Sequence, residues 1–145
     1  MAVTRLDGWE KRFIAVVDGA RSRPYELGRH DCFHFACQVI EALTGIDHWS
    51  AWQSTYRTRA QALRRITEYG GNFTDAFSKL FGVEPCSVEL ARPGDICEFI
   101  EAAGEGKLHD EPHLAVVTGK QVALLAERGL VYFSVKHCHH CWRIG

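Results

Sequence analysis

Gly28–Gly45 reads GRHDCFHFACQVIEALTG, and the reading of this stretch decides the fold. It holds a turn residue, a helix start and then an amphipathic run. Asp31 is an N-cap by residue type, Cys32 follows it, and Gly45 supplies the stop. Cys32, Ala36, Val39, Ile40 and Leu43 fall at i, i+4, i+7, i+8 and i+11, one face of a helix. Cys32 therefore belongs to the first turn of a buried helix, at the positive end of its dipole. The dipole and the unpaired N–H groups there favour a thiolate, so the position suits a nucleophile. The competing reading is a small core hydrophobe, the usual lot of a free cysteine.

Upstream, Asp7 and Glu10 form a D-x-x-E start for a helix over Gly8–Ala20, with Phe13, Val16, Val17 and Ala20 inward. Pro24 makes residues 21–29 a loop. Downstream, Trp49 and Trp52 show no clear period and read as a satellite cluster under a loop. Helices are predicted over Thr58–Tyr69, closed by Gly70-Gly71, and Thr74–Phe81, closed by Gly82. After Pro85 the pattern turns to short β-type runs. Arg92-Pro93-Gly94-Asp95 is a turn, with Asp95 bonding backbone N–H groups as an Asx-type residue. Strands follow at Ile96–Ile100, Leu114–Thr118, Val122–Ala126, Val131–Val135 and Trp142–Ile144, with a glycine-rich acidic loop over Ala102–Pro112. Helices first and a meander of strands second predict a single α+β domain over 1–145, the helices packed on one face of an antiparallel sheet.

A net charge of -1 gives no bulk reason to expect nucleic acid as a partner. No run of 18 apolar residues exists to span a membrane, and MAVTRLDGWEKRF carries no apolar signal core. The chain is thus expected to be made in a bacterial cytoplasm. Six cysteines in that setting read as thiols or ligands rather than as a disulfide framework.

A nucleophilic cysteine needs a base within hydrogen-bond reach, usually histidine. Eight histidines are present, and His113 has the right place, immediately before the strand LAVVT. His30 lies in the turn before the helix, and His34 points about 200° away from Cys32 around the helix axis.

With these pieces in hand, the chain resembles the NlpC-type cysteine peptidases, papain-like hydrolases that cut peptidoglycan stem peptides. Pro24-Tyr25-Glu26-Leu27-Gly28 resembles the family's P-Y-x-W-G, and Asp31-Cys32-Phe33-His34-Phe35 its D-C-S-G-F nucleophile box. Arg92-Pro93-Gly94-Asp95-Ile96 resembles its P-G-D-L strand opening, and His113–Gly119 its H-V-G-I-Y-x-G base strand. The motifs keep the family's order. The Arg5–Glu10 opening, R-L-x-G-W-E, and the size further resemble a small subgroup encoded among tail-tip genes of siphophages, prophages and gene-transfer agents.

The resemblance implies a papain-like NlpC-type fold and a phage tail-tip peptidase delivered in the virion. Cys32 would attack a stem-peptide amide, the D-Glu to diaminopimelate bond, and His113 would carry the proton. Tyr25 would help hold the oxyanion, with Asp31 and Asp95 in support; no cofactor is implied. The partners would be tail hub and tip proteins and the peptidoglycan itself. Two departures stand out. The polar residue that orients the base is expected twelve after it, where this chain has Leu125; Gln121 and Glu127 are the nearest substitutes. Phe33-His34 replaces the small Ser-Gly beside the nucleophile. These departures open an alternative, a structural tail-tip subunit bound to a hub protein with little or no hydrolysis.

The run His137-Cys138-His139-His140-Cys141 has half the ligands of a zinc-type site, with Cys138, Cys141, His137 and His140 the candidate donors. Cys86, Cys97 or His109 would have to complete it. An iron–sulfur cluster on Cys86, Cys97, Cys138 and Cys141 is a further arrangement of the same residues. Without a metal, the run reads as a polar turn before the last strand, with one cysteine packed inward.

Overall fold

Asp31 and Gly45 do bound the helix around which the molecule is built. In the computed structural model, which describes residues 3–101 and 111–145, α2 spans Cys32–Thr44. The Asp31 side chain accepts from His34 N–H, and Gly45, at φ 79°, donates its N–H to Glu41 O. Phe35, Ala36, Cys37, Val39, Ile40 and Leu43 are all buried, so α2 is apolar well beyond one stripe. It lies between α1 (Trp9–Ala20) and the sheet.

The D-x-x-E start expected for α1 does not form. Gly8 is the N-cap, at φ 75°, and no side chain caps the helix. That left-handed conformation suits glycine, which displaces Asp7 from the cap position. α3 (Arg59–Gly70) begins with a full capping box between Thr58 and Gln61, and α4 (Phe73–Phe81) with Asn72 as cap. No residue of α3 is buried, and Leu63, expected inward, is 51% exposed. The tryptophans belong to the main core: Trp52 packs edge-on against Phe33 at 5.2 Å, and Trp49 also rests on Phe33.

Five antiparallel strands follow: β1 (Ile96–Glu101), β2 (Glu111–Val117), β3 (Gln121–Ala126), β4 (Gly129–Ser134) and β5 (Cys138–Trp142). Their order is β4-β3-β2-β1-β5, so the meander ends at β4 and the chain then crosses back to pair β5 with β1. The fold class is α+β, as the pattern predicted. The loop expected over Ala102–Pro112 falls on 102–110, outside the described residues; Pro112 is part of β2.

The sheet divides cleanly into two faces. Ile96, Leu114, Val116, Ala123 and Trp142 pack on the helices. Cys97, Phe99, Ala115, Val117, Val122, Cys138 and Cys141 form a second cluster on the other side, against Val88 and Val135 of two short 3-10 turns. The last strand is the clearest correction. It was expected at Trp142–Ile144, with the cysteine–histidine run as a turn, yet that run is β5 itself. Cys138 and Cys141 sit three apart and would face opposite sides of a regular strand. A bulge, where the register shifts between Glu98 and Phe99, turns both inward.

Asp95 closes the domain. Its wholly buried carboxylate accepts from Arg92 N–H at 2.9 Å, Ile144 N–H at 3.0 Å and the Arg5 guanidinium at 3.0 Å. The turn residue read from P-G-D thus also binds the segments near both ends of the chain.

Candidate active site

A cleft of about 410 Å³ opens where the start of α2 meets the outer part of β2. Cys32 and His113 both line it, together with Tyr25, Asp31, Tyr56 and Arg59. Phe33, Trp52 and Phe77 form an apolar floor, and Leu63 and Ile66 of α3 extend it. The exposed apolar side of α3 is thereby explained as a wall of the cleft. Phe33, which stands where the resemblance expects a small residue, is 7% exposed and stacks among Trp49, Trp52 and Phe77. It fills the core rather than closing the cleft mouth.

Asp31 organises the nucleophile end. One carboxylate oxygen accepts from His34 N–H at 2.9 Å. The other accepts from Gly28 N–H at 2.9 Å and from the buried Tyr56 hydroxyl at 2.5 Å. Gly28 is required in this arrangement, because at φ +83° a Cβ would stand 2.8 Å from Tyr56 O. Tyr56 is the residue that sequence reading missed. No local pattern links it to Asp31, and the contact joins positions 25 apart in the chain. Burial first, and then the charge of Asp31, raise its phenol above the ordinary value.

The backbone N–H groups of Leu114, Phe33 and Cys32 itself lie by the sulfur and favour the thiolate. Burial acts against them and is the largest influence, followed by the Asp31 carboxylate; together they push the thiol up to about 12. The thiolate expected at this helix start is therefore not the resting form. The magnitudes explain the reversal. A helix N-terminus stabilises an anion by up to roughly 2 kcal/mol, whereas burial moves a pKa by up to about 3–5 units when complete, so even the incomplete burial of Cys32 can outweigh the helix. Tyr25 has its phenol raised to about 12, by burial, then by Cys32 and Asp31, so it stays a neutral donor beside the sulfur.

His113 lies inside β2 rather than before it, because β1 pairing extends the strand back to Glu111. Its partner across the ladder is Phe99. Leu114 and Val116 pack toward the helices, and Ala115 and Val117 away from them. Strand alternation groups His113 with the second pair while it lines the end of the cleft. His34 is not near the sulfur's working side; its Nδ1 meets His30 Nδ1 at 3.2 Å, and its ring packs on Trp49 at 4.6 Å.

Neither substitute for an orienting residue lines the cleft. Leu125 is buried on β3 and pairs with Leu130 of β4. Gln121 sits at the far end of that strand, its carbonyl taking Thr118 N–H at 2.9 Å. Glu127 is exposed in the β3–β4 turn and offers its backbone carbonyl to Tyr25 N–H at 3.3 Å. Asp95 does not line the cleft.

The cysteine–histidine run is divided by burial. Cys138 and Cys141 are buried, whereas His137 and His140 are exposed. Among the described residues, no group of three or more His, Cys, Asp or Glu side chains is arranged to hold a metal ion. His109 lies outside the described residues.

With fold and cleft defined, the chain can be placed among known proteins. Residues 4–144 match the family described as Domain of unknown function (DUF6950), and the chain belongs to that family. No curated protein and no solved structure matches it. Among the described residues, no helix is long and apolar enough to cross a membrane.

Proposed function

We propose that this protein is a papain-like cysteine hydrolase of NlpC type that cuts an amide of the peptidoglycan stem peptide at a phage tail tip. One observation carries the reading. The first residue of α2, Cys32, and a histidine of β2, His113, line a single cleft. Because the resting thiol is neutral, His113 acts as a general base that takes the proton as Cys32 attacks the carbonyl. The N–H groups at the start of α2 and the Tyr25 hydroxyl then receive the developing oxyanion. The apolar floor accommodates the aliphatic parts of a stem peptide.

The structural tail-tip subunit is the second reading. The raised Cys32 thiol, the alternation that sets His113 with Ala115 and Val117, and the apolar Leu125 all favour it. Digestion of purified peptidoglycan distinguishes the two. A hydrolase releases soluble muropeptides, and Cys32→Ala and His113→Ala each abolish release. No release by the intact protein, or equal release by Cys32→Ala, defeats the hydrolase reading.

A further inference from the structure

Four of the six cysteines gather on the sheet face turned away from the cleft. Cys97 of β1 stands directly across from Cys141 of β5. On its other side Cys141 bridges Cys86: Cys86 N–H donates to Cys141 O at 2.7 Å, and Cys141 N–H to Cys86 O at 3.1 Å. Residues that exchange both backbone bonds lie about 5.5 Å apart at Cα, inside the ~4.4–6.8 Å that a disulfide spans. The side chains of Cys86, Cys97, Cys138 and Cys141 share one apolar cluster. Cys97, Cys138 and Cys141 are buried. Cys86 alone of the four is partly exposed, and it lines an open hollow of about 500 Å³ beside Arg143.

We propose that Cys86 and Cys141 are a disulfide site, an oxidation-driven staple between the segment after α4 and the edge strand β5. A small organic disulfide reaches Cys86 through the hollow. Burial raises the Cys86 thiol, so it loses its proton as it attacks; the oxidant's S–S bond breaks, and one small thiolate leaves as a mixed disulfide forms. Cys141 then loses its proton and attacks Cys86 Sγ, expelling the second small thiol. Two protein thiols become one disulfide, and the oxidant is reduced to two thiols. The Cys97 thiol, across the ladder from Cys141, helps to hold Cys141 below the ordinary thiol value and keeps its proton through the resolving step. β5 is an end strand of the sheet, so the bond fastens the cover over its outer edge.

The test treats the purified full chain with oxidised glutathione and maps disulfides by mass spectrometry, alongside thermal unfolding. The expected result is a Cys86–Cys141 crosslink with the loss of two hydrogens, and a Tm rise of roughly 10 °C that dithiothreitol reverses. Cys86→Ser, at a partly exposed position, removes both changes, and Cys97→Ser leaves the crosslink in place. A bond from Cys141 to Cys97, thiols that stay reduced, or a tightly held stoichiometric zinc ion that blocks oxidation would each overturn the proposal.

Discussion

Replacing Asp31 by alanine removes three hydrogen bonds at the point where the cleft is assembled, and the cost can be worked from their geometry. Loss of the N-cap contact to His34 N–H costs about 1 kcal/mol. The Tyr56 hydroxyl, on a side chain only 5% exposed, is left without its acceptor, for about 1–3 kcal/mol more. Gly28 N–H loses its partner as well. The sum is about 3 kcal/mol, or a fall in Tm of roughly 10 °C for a chain of this size. Urea unfolding followed by tryptophan fluorescence reads the change, since Trp49 and Trp52 pack beside α2. Tyr56→Phe alone is expected to cost about 1 kcal/mol, and the double variant less than the sum of the two, because they share one bond. A loss below about 1 kcal/mol for Asp31→Ala, or strict additivity with Tyr56→Phe, would refute the claim that Asp31 anchors this corner.

Acid should destabilise the fold through His30. Its imidazole is 1% exposed and lowered to about 4, by burial first and then by Arg23 and His34. The unfolded chain keeps the ordinary value near 6.5, so it binds more protons than the native state between the two. Stability is therefore full above about pH 6.5 and falls as pH drops toward 4, with the lowered His34 adding in the same direction. Urea midpoints at pH 7 and pH 5 should differ, and His30→Gln should flatten that difference. Asp95→Ala should cost about 3–5 kcal/mol by taking the carboxylate from the Arg5 charge and the acceptor from the backbone N–H groups of Arg92 and Ile144 at a buried site. Native-state alkylation of Cys32 should be unchanged in that variant, because Asp95 does not line the cleft.

What the sequence made legible was what local chemistry encodes. Asp31 and Gly45 bound α2 because a cap and a left-handed stop act within a turn of the helix. The P-G-D turn and the strand after it followed for the same reason. β5 was missed because its bulge destroys the period-2 signal on which strand reading depends, leaving an inward cysteine at each end of a three-residue step. Helical spacing predicts Leu63 inward, and the apolar surface that it meets is that of the cleft. The raised Cys32 thiol lay beyond sequence reading altogether. The helix dipole is a local property, whereas burial beneath β2 and the neighbouring strand backbone is tertiary. Tyr56 shares that character, meeting Asp31 only once the connection between α2 and α3 folds back.

The central claim is that Cys32 and His113 work as nucleophile and base, and the pH dependence of Cys32 alkylation by iodoacetamide tests it most directly. The modified residue is identified by mass spectrometry, and His113→Ala is run beside the intact protein. The account predicts a thiol that titrates above the ordinary value near 8.5, yet reacts at pH 7 roughly tenfold or more faster than in His113→Ala, because a positioned base removes its proton during attack. Equal rates in the two proteins at every pH would contradict it, and would leave Cys32 as a packed thiol at the start of a buried helix.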